Sequence, residues 1–202
     1  MNGVDAIFGI IILIMSVVIH EVSHGLAANS LGDPTARFAG RLTLNPLKHL
    51  DPIGSVVVPI FTYLIGGFIF GWAKPVPYNP YNLGKGKWGQ ASVAAAGPVS
   101  NFLIAVIFGI ILKIVTPLDA IPVAALSLLE AIVIINIVLG VFNLIPIPPL
   151  DGSKVLFALL PPSMRNVEEF LTRYQLILVA VLIFFAWRFI LPIVYFLFGL
   201  LT

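Results

Sequence analysis

The chain has 202 residues, of which 59% are hydrophobic and only 10% are charged, with a mean hydropathy of +1.07. A soluble domain carries about 25% charged residues, so this composition excludes a water-soluble globular protein and indicates a lipid bilayer as the solvent. The net charge of +2 is too small and too scattered for a nucleic-acid-binding surface. The absence of cysteine excludes disulfides and thiolate ligands, so any transition-metal site must use His, Asp or Glu.

Five apolar stretches are long enough to enter or cross a bilayer, which takes about 20 apolar residues of helix. They cover residues 5–28, 53–72, 91–115, 122–145 and 174–201. We therefore expect an all-α polytopic membrane protein with about four to six transmembrane or re-entrant helices, forming a single domain over residues 1–202. The first stretch lacks a basic region before it and a cleavage motif after it, which is typical of a retained helix.

Two polar connections have the pattern of extended chain. Residues 36–44 alternate between apolar and polar side chains, which favours a short strand. Residues 72–80 contain Pro75, Pro77 and Pro80, which exclude a helix and favour extended backbone. We expect short membrane-associated β-strands here, which either pair with each other or hold a substrate as an added strand.

The basic residues give the chain an orientation. Three of them, Arg37, Arg41 and Lys48, follow the first apolar stretch, whereas only Asp5 precedes it. The positive-inside rule then places the C-terminal end of that stretch in the cytosol, and the lysines of residues 73–90 favour the same side. Both preferences hold only if residues 53–72 enter and leave by one face. A simple spanning helix is the alternative, and the sequence leaves the two open.

The strongest chemical signal is His20-Glu21-Val22-Ser23-His24, inside the first apolar stretch. Histidines at positions i and i+4 share one helix face, so both imidazoles can bind one metal ion. Glu21 lies about 100° around the helix, where it can reach a metal-bound water without ligating the metal. Hydrolysis needs this arrangement, because the metal activates the water and the carboxylate takes its proton. A chance motif is the alternative, but such residues are costly inside a membrane, which favours function.

A catalytic zinc ion has three protein ligands and one open position, so a third ligand must come from elsewhere. Asp151, which follows a proline-rich segment, is the best candidate, and a helix N-cap is its structural alternative. Glu130 is a rival near the outer end of its helix, whereas Asp33 and Asp51 have the context of turn residues. If residues 53–72 make no net crossing, the next two helices return the chain to the depth of the histidines, which supports Asp151.

Three asparagines lie within or at the end of apolar helices. Asn143 adjoins the proline-rich segment, and its amide N–H is predicted to donate to the carbonyl oxygen as it becomes an oxyanion. An interhelical hydrogen bond is the alternative for Asn143. For Asn101 and Asn136 we predict packing hydrogen bonds between helices.

These motifs resemble those of the site-2 protease family (peptidase M50), intramembrane zinc metalloproteases, and in particular its small prokaryotic members. The resemblance covers most of the chain and rests on residues 20–24, Phe70-Gly71-Trp72-Ala73-Lys74-Pro75-Val76-Pro77, Ala95-Ala96-Gly97-Pro98-Val99-Ser100-Asn101 and residues 143–152. It implies that His20, His24 and Asp151 bind one Zn²⁺ per chain and that Glu21 is the catalytic base. It also implies a transmembrane-helix substrate that is partly unwound at its scissile bond. We expect no further helix before the motif helix and no PDZ or CBS domain, unlike many family members.

We therefore predict an intramembrane zinc endopeptidase that cuts transmembrane-helix substrates in regulated intramembrane proteolysis. It is expected to be a multi-pass protein of the cell membrane with its active site toward the cytosolic face. Its expected partners are a transmembrane protein substrate and the lipid bilayer, without nucleic acid. The alternative is a membrane metal-binding or transport protein that uses the histidine pair without hydrolysis. Glu21 distinguishes the two, because transport needs no general base beside a water.

Overall fold

The computed structural model describes residues 3–66, 71–84, 86–118, 121–185 and 187–202. The helices within these ranges are α1 (Gly3–Ser30), α2 (Thr35–Phe38), α3 (Val58–Gly66), α4 (Lys87–Val115), α5 (Val123–Asn143), α6 (Asp151–Leu159), α7 (Arg165–Arg173), α8 (Gln175–Phe185) and α9 (Trp187–Leu201). A π-helical turn, Ile53–Val57, leads into α3. Short 3₁₀ turns lie at Pro46–Lys48, Pro80–Asn82, Thr116–Leu118 and Pro162–Met164.

Among the described residues, three segments are long and apolar enough to cross a membrane: Ile7–Ser30, Lys87–Leu118 and Val123–Asn143. A helix of 20 residues covers about 30 Å, the thickness of the hydrocarbon core. Two shorter apolar helical segments are Ile53–Ile65 and Arg188–Leu201. The expected all-α membrane class therefore fits the structure.

Helix α4 is the centre of the fold, since it packs against α1, α5, α6 and α9. Small residues on its buried face let the neighbouring backbones approach closely: Gly89, Ala91, Ala94, Gly97, Ala105 and Gly109. The main apolar core joins α4, α5 and α9 through Ala105, Val133, Ile137, Ile190 and Val194. This packing holds the three elements that carry the polar residues of the site, α1, α4 and α6, around one another.

The predicted β-strands are wrong, because no strand is present in the part of the chain that the structure describes. Residues 35–38 form the short helix α2, and residues 39–45 are irregular. Residues 71–79 are not helical, as their prolines predicted, but they pair with no neighbouring strand. Proline has no N–H, so Pro75 and Pro77 remove donors that a β-ladder needs. The N–H groups of Val76 and Asn79 donate to side chains, and those of Trp72 and Lys74 donate to the backbone carbonyls of Gly54 and His49.

The segment between residues 53 and 72 begins and ends at the same place. The backbone N–H of Trp72 donates to the carbonyl of Gly54 at 3.0 Å, and the Ser55 hydroxyl donates to the carbonyl of Trp72 at 2.9 Å. Gly54 permits this approach, because a Cβ there would collide with the Trp72 indole. The segment therefore makes no net crossing, which is the re-entrant alternative of the two that the sequence left open. Phe70 lies outside the described residues.

Asp33 fastens the end of α1 to the loop that follows the re-entrant segment. Its side chain is fully buried and accepts hydrogen bonds from the Thr35 hydroxyl at 2.5 Å, from Asn82 Nδ2 at 2.9 Å and from the Asn79 backbone N–H at 2.6 Å. Burial by itself would raise the pKa of this carboxyl, but the hydrogen bonds outweigh burial and hold the pKa below its ordinary value. The ionised carboxylate therefore anchors residues 79–82.

We expect Asp33→Asn to lower the free energy of unfolding by about 1–3 kcal/mol at neutral pH. The carboxylate also accepts from the Thr35 backbone N–H at 3.2 Å, and a neutral amide cannot accept all four hydrogen bonds. Since the folded-state pKa is lowered, this stabilisation is present above the unfolded pKa of about 3.9 and is lost as the pH falls through the folded value. Thermal unfolding in detergent micelles across this pH range measures it. Glu169→Gln, at an exposed ion pair with Arg165, is the acid-to-amide control. A difference that stays constant into acid would contradict the assignment.

The re-entrant arrangement predicts which residues share one side of the membrane. Single cysteines replacing Phe38 and Tyr81, which are 83% and 97% exposed, should react with an impermeant thiol reagent from the same side of sealed vesicles. A cysteine replacing Val123, 78% exposed at the start of α5, should react from the opposite side, because α4 lies between. The chain has no native cysteine to interfere. Labelling of positions 38 and 81 from opposite sides would refute the re-entrant segment.

Candidate active site

Helix α1 brings the two motif histidines together one turn apart. The Nε2 atoms of His20 and His24 lie 3.0 Å from each other, and the ring planes are nearly perpendicular. His20 is buried and His24 is half-buried. The spacing of four residues on one helix face therefore gives the shared face that the sequence predicted.

Asp151, the first residue of α6, reaches the same point from the other end of the chain. Its Oδ2 lies 3.1 Å from His20 Nε2 and 3.2 Å from His24 Nε2. Leu150 occupies the N-cap position of α6 and no side-chain cap is formed there, so the structural alternative for Asp151 is not what is observed.

Gly152, the second residue of α6, lets the start of α6 pack closely against the end of α5. The segment 144–150 contains a cis peptide bond between Pro148 and Pro149. Gly152 lies directly against the backbone carbonyls of Leu144 and Ile145, where a Cβ would collide with both. A residue with a side chain at position 152 would push α6 away from the end of α5.

The hydrogen bonds of the histidines show that the cluster is suited to a cation. His20 Nδ1 donates to Asn101 Oδ1 at 2.6 Å, and His24 Nδ1 donates to the carbonyl of Val93 at 2.7 Å. Each neutral imidazole then carries a lone pair on Nε2. These two lone pairs and the Asp151 carboxylate oxygen face one another, which is repulsive unless a proton or a metal ion lies among them. Ligand atoms of a tetrahedral zinc ion lie about 3.3 Å apart, close to the distances of this triangle.

Glu21 lies beside this triangle. One of its carboxylate oxygens is within 4.8 Å of the histidine nitrogen atoms, so Glu21 competes geometrically with Asp151 for the third ligand position. Asp151 is closer, and it contacts both histidines from a single oxygen. The backbone N–H of Val76 donates to Glu21 Oε2 at 2.8 Å and holds this carboxylate to the side of the cluster. Asp151 therefore fits the third ligand position, and Glu21 fits a position next to it.

Gly97 sets the distance between α4 and the histidines. A Cβ at this position would lie 2.5 Å from the Nε2 atoms of both His20 and His24. Asn101 follows one turn later on the same face of α4, where its amide meets the far side of the His20 ring. The stretch from Ala95 to Asn101 thus provides both the close approach and a hydrogen-bond partner.

A cavity of about 190 Å³ opens onto the cluster. It is lined by His20, Glu21 and Asp151 together with Val76, Asn143 and Lys154. Asn143 Nδ2 donates to the carbonyl of Leu139 at 2.9 Å, and the amide has a second N–H. The oxyanion role predicted for Asn143 stays a prediction, with the residue at the cavity wall. The Lys154 ammonium lies 5.4 Å above the Tyr78 ring.

The structure separates the rival carboxylates from the site. Glu130 is exposed on α5 and does not line the cavity. Asp33 and Asp51 accept backbone hydrogen bonds in turns, as their sequence context predicted. The contact between Asn101 and His20 was missed by sequence reasoning, which gave Asn101 a packing role only. The sequence feature that could have indicated this contact is the amide of Asn101, four residues after Gly97 in an apolar helix.

The comparisons with known proteins agree with this geometry. The family model for peptidase family M50 matches residues 8–121 and 111–185. The chain is 40% identical over 161 residues to "Putative zinc metalloprotease YwhC" of Bacillus subtilis, covering 77% of this chain and 70% of that protein. It is 30% identical over 150 residues to "Zinc metalloprotease MJ0392" of Methanocaldococcus jannaschii, covering 74% of this chain and 33% of that longer protein. No solved structure shows significant similarity. The chain belongs to peptidase family M50, the site-2 protease family that its motifs resemble.

Proposed function

We propose that this protein is an intramembrane zinc endopeptidase that cuts membrane-protein substrates, as in regulated intramembrane proteolysis. The observation that carries the proposal is the convergence of His20, His24 and Asp151 on one point beside Glu21. Two of these residues lie in the interior of a helix long enough to cross a membrane. Polar groups are costly there, so such a cluster is expected to have a function.

His20 Nε2, His24 Nε2 and Asp151 Oδ2 would hold one Zn²⁺ per chain. Two imidazoles and a carboxylate form a donor set that suits zinc and leaves one coordination position for water or substrate. When bound, the metal polarises the scissile carbonyl and activates water for attack. The names of the relatives, which are zinc metalloproteases, support zinc as the metal.

Glu21 is the general base of the proposed reaction. Its position next to the histidines lets it take a proton from the attacking water and then deliver that proton to the leaving amine. The Val76 N–H holds one carboxylate oxygen at 2.8 Å, which fixes the orientation of the group. The carboxylate has a second oxygen for the proton transfer.

The depth of the site supports a membrane-embedded substrate cut near the membrane surface. His24 lies six residues before the end of α1 at Ser30, which places it about 9 Å inside the helix end. The basic residues after α1 favour the cytosolic face for this end. The peptide groups of a transmembrane helix are already hydrogen-bonded within the helix, so the substrate must unwind locally to expose its scissile bond.

We expect Glu21→Gln to retain stoichiometric zinc while cleavage of a model transmembrane substrate in liposomes falls by about 100- to 10,000-fold. The amide is nearly isosteric and still accepts from Val76, but it cannot accept the proton. Metal content and product formation are measured on the same preparation, with chelator-treated wild-type protein as the inactive control. Unchanged cleavage by the variant would end the general-base role, and lost zinc would make Glu21 a ligand. Zinc crossing the liposome membrane without cleavage by the wild type would favour a transport protein.

We expect Asp151→Asn to weaken zinc binding by at least about 10-fold, because an anionic ligand oxygen is replaced by a neutral one. Competition with a chromogenic chelator measures the affinity. The matched control is Glu130→Gln, since Glu130 is an exposed carboxylate in an apolar helix outside the site. Unchanged affinity in the Asp151 variant, or an equal loss in both variants, would require a different third ligand.

A further inference from the structure

The hydrogen bond between His20 and Asn101 is the first of a series that joins three helices. Asn101 Nδ2 on α4 donates to Asn136 Oδ1 on α5 at 2.9 Å, and Asn136 Nδ2 donates to the Ser16 hydroxyl on α1 at 2.9 Å. Ser16 precedes His20 by one helical turn, so the series returns to the helix from which it starts. Asn101 and Asn136 are fully buried, and Ser16 is 4% exposed.

The orientation of each amide in this series is fixed by a backbone carbonyl at its end. Asn136 Nδ2 also donates to the carbonyl of Ile132 at 2.9 Å, and a carbonyl oxygen can only accept. The Asn136 oxygen must therefore face Asn101, and Asn101 must present its NH₂ group to that oxygen. The Asn101 oxygen then faces His20, which must carry its proton on Nδ1 to donate to it. The Asn101 NH₂ group also lies 3.5 Å from the backbone carbonyl of Ser16, which favours the same orientation. Backbone carbonyls of α5 and α1 thus favour the proton of His20 on Nδ1.

We propose that Asn101 and Asn136 form a positioning relay that holds His20 as the Nδ1–H tautomer, with the Nε2 lone pair directed at the metal position. This inference rests on the proposed zinc site and adds to it two residues that do not touch the metal or the substrate. Partners of metal-bound imidazoles typically fix the tautomer and the ring orientation in this way.

The two histidines differ in how they are held. His24 donates its Nδ1–H to the backbone carbonyl of Val93, which no side-chain substitution removes. His20 donates its Nδ1–H to the side-chain oxygen of Asn101, which a substitution can remove. Loss of the Asn101 oxygen would free His20 to protonate Nε2, where the proton would occupy the position of the metal. A substitution at residue 101 should therefore affect His20 and leave His24 unchanged.

Nitrogen-15 NMR of histidine-labelled, metal-free protein in micelles, at an alkaline pH at which imidazoles are neutral, tests the relay without reference to activity. The chain has three histidines, and His49 provides the opposite reference, because its Nε2 faces the carbonyl of Thr43 at 2.8 Å. In the wild type we expect His20 and His24 as Nδ1–H tautomers and His49 as the Nε2–H tautomer. In Asn101→Leu, the His20 signals should change to a mixture or to the Nε2–H form, while those of His24 stay as they were.

Zinc affinity, measured by chelator competition, gives the second readout. We expect a loss of about 10- to 100-fold for Asn101→Leu and a smaller loss for Asn136→Leu. The double variant should be no weaker than Asn101→Leu alone, because Asn136 acts through Asn101. Ser100→Ala is the control, since the Ser100 hydroxyl bonds only to its own helix at Gly97 and should change neither readout.

The outcomes separate the relay from the zinc proposal. Wild-type protein that binds zinc, together with a folded Asn101→Leu variant of unchanged tautomer and affinity, would overturn the relay alone. Wild-type protein that binds no zinc would overturn the proposed function and the relay with it. If Asn101→Leu does not fold, Asn136→Leu gives the same test, and normal His20 signals and zinc affinity in that variant would refute the relay.

Discussion

The structure depends on the convergence of three electron-pair donors at one point inside the membrane region. His20 Nε2, His24 Nε2 and Asp151 Oδ2 lie 3.0–3.2 Å apart. The Nδ1 atoms of the two histidines donate to the Asn101 side chain and to the Val93 carbonyl. The lone pairs of the two Nε2 atoms and the carboxylate oxygen repel one another unless a proton or a metal ion lies among them, so the cluster suits a bound cation. The fold meets this constraint by packing α1, α4 and α6 around one another. A side chain at Gly97 would collide with the histidines of α1, and one at Gly152 would push α6 away from the end of α5.

The same reasoning explains the polar residues around the cluster. A polar group in an apolar interior destabilises the fold unless it is hydrogen-bonded. Glu21 accepts from the Val76 N–H, His20 bonds to Asn101, and Asp33 accepts from four donors. The irregular loops near the site are tolerated because side-chain and backbone acceptors satisfy their N–H groups. The polar network therefore stabilises the fold and, on the proposed function, orients the reacting groups.

Much of this could be predicted from the sequence, because the signals were local. Histidines four residues apart on an apolar helix define a shared face without any knowledge of the tertiary structure. Asp151 could be identified as a candidate third ligand because the chain has only 9 Asp and Glu residues to choose from. The contact from Asn101 to His20 was not predictable in this way, since it depends on how α4 rotates against α1. An amide in an apolar helix indicates a partner but does not say which one.

Residues 72–76 show why extended backbone was predicted correctly here while the predicted β-strand was not formed. The N–H groups of Trp72, Lys74 and Val76 all donate to one side, to the Gly54 carbonyl, the His49 carbonyl and the Glu21 carboxylate. Such alternation is the backbone geometry of a strand, which agrees with the extended backbone that the prolines predicted. The acceptors come from three separate elements instead of a neighbouring strand, and Pro75 removes an N–H between them.

This difference has a consequence for the site. A strand in a ladder would be held by its neighbour, independently of α1. Residues 72–76 instead connect the re-entrant segment at Gly54 to the carboxylate of Glu21 within five residues of chain. A displacement of the re-entrant segment would pull on the Val76 N–H, because the prolines that flank Val76 leave the backbone little freedom to absorb it. Hydrogen bonds at Trp72 and Val76 thus connect the proposed base to the re-entrant segment.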